Sequence, residues 1–140
     1  MAKVQVVIAL TIDGFLLHED HIWMQWVKTD KNGFSYWRGR STVILFPHYP
    51  LIDLSLDKDR KNNPCIYLAE ISDWEGLELL RRLSTHRLVD EIILYRFPVT
   101  GNRNGCIDPA VHFPPGKWTL VESRTYKNGI CRTIYRIKNG

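Results

Sequence analysis

The stretch that most constrains the fold is an apolar, largely β-branched run from Val4 to Leu10, interrupted only by Gln5. Such a run without polar alternation is typical of a strand buried on both faces, at the centre of a parallel or mixed sheet. It passes directly into Thr11 to Gly14, which supply a hydroxyl, a carboxylate and a flexible backbone. Loops that leave central strands often bind ligands. The residues alone are compatible with a ligand site or with a plain Asp-Gly turn.

Composition places the chain among ordinary globular proteins. Its 140 residues are 44% hydrophobic and 24% charged, which suits one domain over residues 1–140 with a core of its own. We expect no membrane partner and a cytoplasmic location, because there is no apolar run of roughly 20 residues and no signal-peptide pattern. The net charge of +4 is scattered, so nucleic acid is not an expected partner. The three cysteines are far apart and indicate a reducing compartment.

Periodicity predicts alternating helices and strands after the first strand. Helical spacing indicates a helix within residues 18–29, and a Ser-x-x-Glu capping box at 72–75 indicates the start of another. Apolar runs predict strands at 43–46, 64–69 and 92–97.

The remaining segments give weaker or different signals. We expect an aromatic and basic loop over 34–42, and a short edge strand or irregular turn over 51–63. Asn128-Gly129 between two alternating segments, 117–126 and 130–137, predicts a C-terminal β-hairpin.

Three groups of side chains are candidates for chemistry, each with a structural alternative. The run from Gly39 to Thr42 combines backbone N–H groups, hydroxyls and a guanidinium, which together can hold an anion. Trp23 and Trp26 are either a stacking surface or core residues. His18 and His21, with acids between them, are weak evidence for a metal site, and an exposed helix start explains them better. We therefore predict no metal.

These motifs together resemble the dihydrofolate reductase-like family that includes the riboflavin-biosynthesis reductase domain. Residues 9–14 are similar to the A-x-S-L-D-G start of that family. Residues 88–92 are similar to its L-V-D-E-L, and Pro98-Val99 to the P-V that follows. The final strand, Asn-Gly turn and strand also match, so the resemblance covers most of the chain in the right order. Within this block, Asp90-Glu91 fit a helix–strand turn better than a catalytic role.

The resemblance implies an α/β fold with three layers: a mixed, mostly parallel sheet flanked by helices, closed by the hairpin and usually paired as a homodimer. It also implies hydride transfer from NADPH to a pterin or ribosylaminopyrimidine-type heterocycle. In that reaction Asp13 would orient or protonate the heterocycle, which Thr11, Trp23 and Trp26 would bind. The residues implied to border or bind the cofactor are Ala9, Gly14, Gly39, Arg40, Ser41, Thr42 and Ala69.

The chain departs from the family pattern where the cofactor phosphates would lie. The family has a Gly-Gly pair at the positions of Ala69-Glu70, and a carboxylate there repels phosphate. The family's G-x-G motif after the P-V is replaced here by Gly101 and Gly105, which three residues separate. The segment between Trp37 and Pro64 is expected to lack the helix and strand of the adenosine half. Two hypotheses follow: a small NADPH-dependent reductase, or a non-catalytic relative that keeps the fold and dimer for binding or regulation.

The hairpin gives the oligomer hypothesis. We expect the strand from Ile130 to Ile137 to be an uncovered sheet edge, guarded only by two arginines. Tyr135 and Ile137 can meet Trp118 and Leu120 on one face of the hairpin, and a twofold dimer is the commonest closure of such a surface.

Overall fold

The fold is built on a six-stranded sheet whose central strand is β1 (Lys3–Leu10). The computed structural model describes residues 2–101 and 113–138. Across the sheet the strands follow the order β2 (Val43–Ile44), β3 (Ile66–Ile71), β1, β4 (Glu91–Arg96), β6 (Cys131–Ile137) and β5 (Trp118–Thr125). The first four are parallel, whereas β6 is antiparallel to β4 and to β5. The predicted mixed sheet with a C-terminal hairpin is confirmed.

The apolar run from Val4 to Leu10 forms a strand that is buried on both faces, as the sequence predicts. From Val4 to Leu10 every residue is at most 5% exposed. The strand pairs with β3 over Lys3 to Ile8 and with β4 over Gln5 to Leu10. Both edges of β1 are paired and both faces are covered, so none of its residues from Val4 to Leu10 is exposed to solvent. The polar–apolar alternation of a half-exposed strand is therefore absent.

Within the described residues, four helices cover the sheet: α1 (Ile22–Thr29), α2 (Phe34–Arg40), α3 (Leu51–Asp59) and α4 (Trp74–Thr85). The connection from β1 to β2 runs across the sheet in one direction, and those from β2 to β3 and from β3 to β4 run in the other. Right-handed crossovers therefore place α1 and α2 on one face and α3 and α4 on the opposite face.

Side-chain contacts agree with this arrangement. Trp37 of α2 donates from Nε1 to the Tyr95 hydroxyl at 2.9 Å, whereas Asn63, just after α3, lies 3.4 Å from the Tyr67 hydroxyl. Tyr95 pairs with Ala9 of β1 and Tyr67 pairs with Val4. Residues an odd number apart in a strand point to opposite faces, so the two tyrosines mark the two helical layers.

Two segments expected to be irregular are helices instead. In α2, Phe34 and Trp37 are buried at a spacing of three, and in α3 Leu51 and Leu54 are buried at the same spacing. Each helix is short and buries only two large apolar residues, so its period is difficult to recognise. In α3 the pattern is further obscured by Ile52, which is 78% exposed. The region between residues 37 and 64 therefore contains the predicted strand, shortened to β2, and the helix α3, which the sequence pattern does not predict.

Several boundaries also differ from prediction. The first helix begins at Ile22, with the exposed His21 side chain accepting from the backbone N–H of Trp23 at its start. The cap of α4 is Asp73 and not Ser72: its carboxylate accepts from the Gly76 N–H at 2.8 Å. Only two residues of the predicted strand 43–46 form β2.

The hairpin prediction needs one correction. β6 lies inside the sheet between β4 and β5, so the edge strand is β5 and not the strand from Ile130 to Ile137.

The glycine segment that replaces the family's G-x-G continues from Gly101 into residues 102–105, which lie outside the described part of the chain.

Asp90 and Glu91 join elements at the amino ends of the parallel strands, whereas Asp13 lies beyond their carboxyl ends. Asp90 accepts from the Val4 N–H at 2.8 Å and from Lys58 Nζ at 2.9 Å. Glu91, only 3% exposed, accepts from Gln5 Nε2 at 2.8 Å and is also paired with Lys3 and Arg136. These contacts give the pair a structural role.

The carboxylate of Glu91 links stability to pH. Burial acts to raise its pKa, but the hydrogen bonds from Gln5 and Arg136 and the charge of Lys3 outweigh burial, so the pKa of Glu91 is held below its ordinary value. A carboxyl group with a lowered pKa in the folded state stabilises the fold above its unfolded-state pKa, near 4.3. That stabilisation is lost as the pH falls through the folded-state pKa.

Replacing Glu91 by Gln should therefore lower the free energy of unfolding by about 2 kcal/mol at pH 7, because charge-assisted hydrogen bonds are removed from a buried position. Urea unfolding at pH 7 and pH 3 measures the difference, which should shrink at the acid pH. Glu19→Gln is the control, since its ion pair with Lys28 is exposed and 4.0 Å long. An equal cost of Glu91→Gln at both pH values would contradict this account.

Candidate functional site

The topology creates a crevice at the carboxyl ends of β1 and β3. These two strands are neighbours, yet the helices that follow them lie on opposite faces of the sheet. The chain therefore leaves the two strands in diverging directions, and ligands of open α/β sheets bind at such switch points. By this topological argument, the loop of residues 11–15 is expected to lie on one side of the crevice, and the end of β3 with the start of α4 on the other.

The loop after β1 is fixed by its own hydrogen bonds. The buried Thr11 hydroxyl donates to Oδ1 of Asp13 at 2.5 Å and accepts from the Phe15 N–H at 2.9 Å. Gly14 has a φ of +87°, which permits the tight turn back to Thr11. Thr11 therefore acts through Asp13: it holds the carboxylate in place and is itself shielded from a ligand.

A second loop clamps the same carboxylate. The Gly101 N–H, from the segment after β4, donates to Oδ1 of Asp13 at 2.6 Å. A Cβ at Gly101 would lie 2.8 Å from the Phe15 Cβ, so only glycine allows this approach. Arg96 adds a bond from its guanidinium to the Ile12 carbonyl at 2.9 Å. Sequence reasoning missed Gly101 and Arg96 as partners of this loop, because both act across more than 80 residues.

The charge state of Asp13 limits its chemistry. The hydrogen bonds from the Gly101 N–H and from the Thr11 hydroxyl hold the pKa of Asp13 below its ordinary value. The carboxylate is therefore ionised at neutral pH and can accept a hydrogen bond, but it has no proton to give. Both bonds end on Oδ1, so Oδ2 accepts from no other residue of the described ranges 2–101 and 113–138. The arrangement suits orientation of an N–H donor, not protonation.

The opposite wall carries an ion pair. Glu70, near the end of β3, accepts from Arg38 of α2 through two separate oxygens: Nε to Oε2 at 2.7 Å and NH2 to Oε1 at 2.8 Å. Ala69 beside it is fully buried and paired with Val6. Just beyond, the Asp73 carboxylate caps the N-terminus of α4. The sequence identified Glu70 as an obstacle to phosphate but did not identify Arg38 as its partner.

The structure does not arrange Gly39 to Thr42 as an anion cradle. Gly39 and Arg40 are the last residues of α2, the end of a helix where carbonyls and negative partial charge lie. The Ser41 hydroxyl donates to the Arg38 carbonyl at 2.9 Å, and the Thr42 hydroxyl accepts from the Ile66 N–H at 3.0 Å. The N–H groups of Ser41 and Thr42 are also bonded to backbone carbonyls. Only the exposed guanidinium of Arg40 remains suited to an anion.

The two tryptophans lie in different surroundings. Trp23 is half-buried against Phe97, with ring centroids 5.9 Å apart, next to the end of β4. Trp26 packs 6.2 Å from Tyr126 in the turn between β5 and β6 and lines an open cleft of about 530 Å³ there. Both contacts fit the core alternative. Ala9 is fully buried within β1 and pairs with Tyr95, so its side chain supports the floor of the sheet.

Within the described ranges, no group of three or more His, Cys, Asp and Glu side chains is arranged to hold a metal ion. No helix in residues 2–101 and 113–138 is long and apolar enough to cross a membrane.

Comparison with known proteins identifies the fold. No protein-family model matches the chain, and no curated protein matches it. A structure ascribed to riboflavin biosynthesis from Shewanella sp. PV-4 matches with a TM-score of 0.58 and 16% identity, over 98% of this chain and 99% of that one. A pyrimidine reductase-like protein from Corynebacterium diphtheriae matches with a TM-score of 0.58 and 10% identity, over 99% of this chain and 92% of that one.

A third structure matches this chain over only part of its own length. It is a diaminohydroxyphosphoribosylaminopyrimidine deaminase/5-amino-6-(5-phosphoribosylamino)uracil reductase from Thermotoga maritima, with a TM-score of 0.54 and 13% identity. The match covers 98% of this chain and 57% of that one. The chain thus has the dihydrofolate reductase-like fold of riboflavin-biosynthesis reductases, and the resemblance drawn from the sequence is confirmed at the level of the fold.

Proposed function

We propose that the chain is a small reductase that transfers a hydride from NADPH to a pterin or ribosylaminopyrimidine-type heterocycle. The observation that carries this proposal is the ionised Asp13 carboxylate, held by Thr11 and Gly101 at the end of the central strand. Two loops far apart in sequence converge on this one group, and both of their hydrogen bonds end on the same oxygen, Oδ1. The shared fold with the pyrimidine reductase-like structures supports the same reaction class.

In this proposal each residue has a limited task. Asp13 accepts a hydrogen bond from a ring N–H of the heterocycle and fixes its orientation, while Thr11 and Gly101 keep the carboxylate in place and ionised. Trp23 contacts Phe97, which directly follows β4, and it is the tryptophan to which we assign stacking on the heterocycle. Orientation of a bound reactant lowers the barrier without requiring a proton from the protein.

The cofactor fits the described arrangement only in part. A pyrophosphate at the end of β3 would meet the carboxylates of Glu70 and Asp73, and the Arg38 guanidinium there is already paired with Glu70. In the described conformation a dinucleotide phosphate can bind at this wall only if it displaces Glu70 from Arg38. The carboxylates of Glu70 and Asp73 favour the second hypothesis, a binding or regulatory relative without catalysis. The hydrogen bonds that hold Asp13 favour the reductase.

The reductase proposal predicts NADPH oxidation in the presence of dihydrofolate or a ribosylaminopyrimidine, measured by the loss of NADPH absorbance. Asp13→Asn should lower the turnover on the order of 100-fold. It should change the melting temperature little, because the Asn oxygen still accepts from Thr11 and Gly101. Asp20→Asn, at an exposed site before α1, is the control. If Asp13→Asn keeps full activity per folded molecule, Asp13 is a turn residue only.

We also propose a homodimer that forms through the hairpin. The pairs Trp118–Ile137 and Leu120–Tyr135 lie next to each other on one face, and Leu120 is 54% exposed. β5 is an edge strand of the sheet, and an edge with apolar neighbours is a pairing surface that a twofold axis closes.

The cytoplasmic location expected from the sequence stays a prediction.

Light scattering at micromolar concentration should give twice the chain mass. Leu120→Lys should shift the mass to that of the monomer, because it buries a charge in the proposed interface without touching the core. Ile52→Lys introduces the same charge on the exposed face of α3 and should leave the dimer intact. A monomeric parent chain, or a dimer that survives Leu120→Lys, would remove the hairpin from the interface.

A further inference from the structure

We propose that Arg38 is an anion-binding residue of the crevice and that Glu70 is the chain's own competing anion, which a phosphate-bearing ligand must displace. The inference rests on the proposed function only for the identity of the natural ligand, the pyrophosphate of a dinucleotide. The competition between Glu70 and an external anion for Arg38 follows from the geometry of the pair itself.

The pair has the geometry of anion recognition. Nε and Nη2 of Arg38 donate to separate oxygens of Glu70, at 2.7 and 2.8 Å, so one edge of the planar guanidinium is bound in a bidentate way. The same fork binds phosphate oxygens in the same way, because carboxylate and phosphate present two acceptors at a similar spacing. Glu70 therefore occupies the position on Arg38 that a phosphate group would take.

The location of the pair gives it access to a ligand. Arg38 stands in the last turn of α2 and reaches the end of β3, which forms one wall of the crevice. Its side chain is 46% exposed, so solvent and solutes reach the guanidinium without opening the core. A partly exposed ion pair is weak enough for exchange of partners, unlike a buried one.

The second positive feature of this wall is also occupied. The N-terminus of α4 is a favourable place for an anion, but the Asp73 carboxylate already accepts from the Gly76 N–H there, and Glu75 adds a negative charge in the first turn. An incoming phosphate is therefore repelled by Glu70, Asp73 and Glu75, and Arg38 is the cation for which it competes. Removing the Glu70 charge should therefore leave the Arg38 guanidinium available to bind a phosphate group.

Titration with inorganic pyrophosphate by calorimetry tests this directly. The Glu70→Gln variant keeps the shape of the side chain and should bind pyrophosphate about tenfold more tightly than the parent chain. The double variant Arg38→Ala with Glu70→Gln should lose that gain. Glu78→Gln is the matched control, because it releases Arg81 from a comparable pair on the exposed surface of α4 and should bring no gain.

Circular dichroism and thermal unfolding establish that each variant is folded. No gain in Glu70→Gln, or a gain that persists without Arg38, would overturn the inference. Failure of the proposed function has a different signature: pyrophosphate binding would increase in Glu70→Gln while neither it nor the parent chain oxidises NADPH with any heterocycle. The two outcomes are separable because pyrophosphate carries no hydride.

Discussion

The pairing of β1 with parallel strands on both sides is the constraint on which the rest of the structure depends. It buries every side chain from Val4 to Leu10 and forces the following residues to emerge at the middle of the carboxyl edge. Beyond Leu10 the backbone leaves the strand ladder, so side chains have to satisfy part of its hydrogen bonding. Thr11, Asp13 and the Gly101 N–H do so, and the same bonds fix a carboxylate in one charge state.

The two edges of the sheet use acidic residues differently. At the amino edge, Glu91 is buried and satisfied by Gln5, Lys3 and Arg136, so its charge contributes to stability. At the carboxyl edge, Asp13 and Glu70 retain access to solvent and are held by fewer partners. Charges that are fully satisfied cannot exchange partners without a large cost, whereas exposed ones can. Under the proposed function, stability and ligand exchange are assigned to opposite ends of the same strands.

Much of the fold could be predicted because its signals are local. The apolar run of β1, the start of α4 and the Asn128-Gly129 turn each carry their structure within a few residues. The short helices α2 and α3 could not be predicted securely, since each buries only two large apolar residues and exposes others. The edge position of β5 depends on β6 pairing with β4, a contact that no local pattern encodes.

The candidate site was predictable only where one segment forms it. Asp13 and Thr11 lie two residues apart, but Gly101 and Arg38 reach the site from distant parts of the chain. Glu70 was recognised as a departure from the family pattern because it is a charge at a named position. Its partner was not recognised, because the segment around Arg38 was interpreted as a loop and a loop does not define a direction for its side chains.

The central claim is that the ligand site lies at the carboxyl ends of β1 and β3. The most direct measurement is a titration of the ¹⁵N-labelled chain with NADPH, followed by amide chemical shifts. We expect the shift changes to cluster in Thr11 to Phe15 and in Glu70 to Gly76. Changes confined to the amino edge around Lys3 and Glu91, or to the cleft beside Trp26, would contradict the claim.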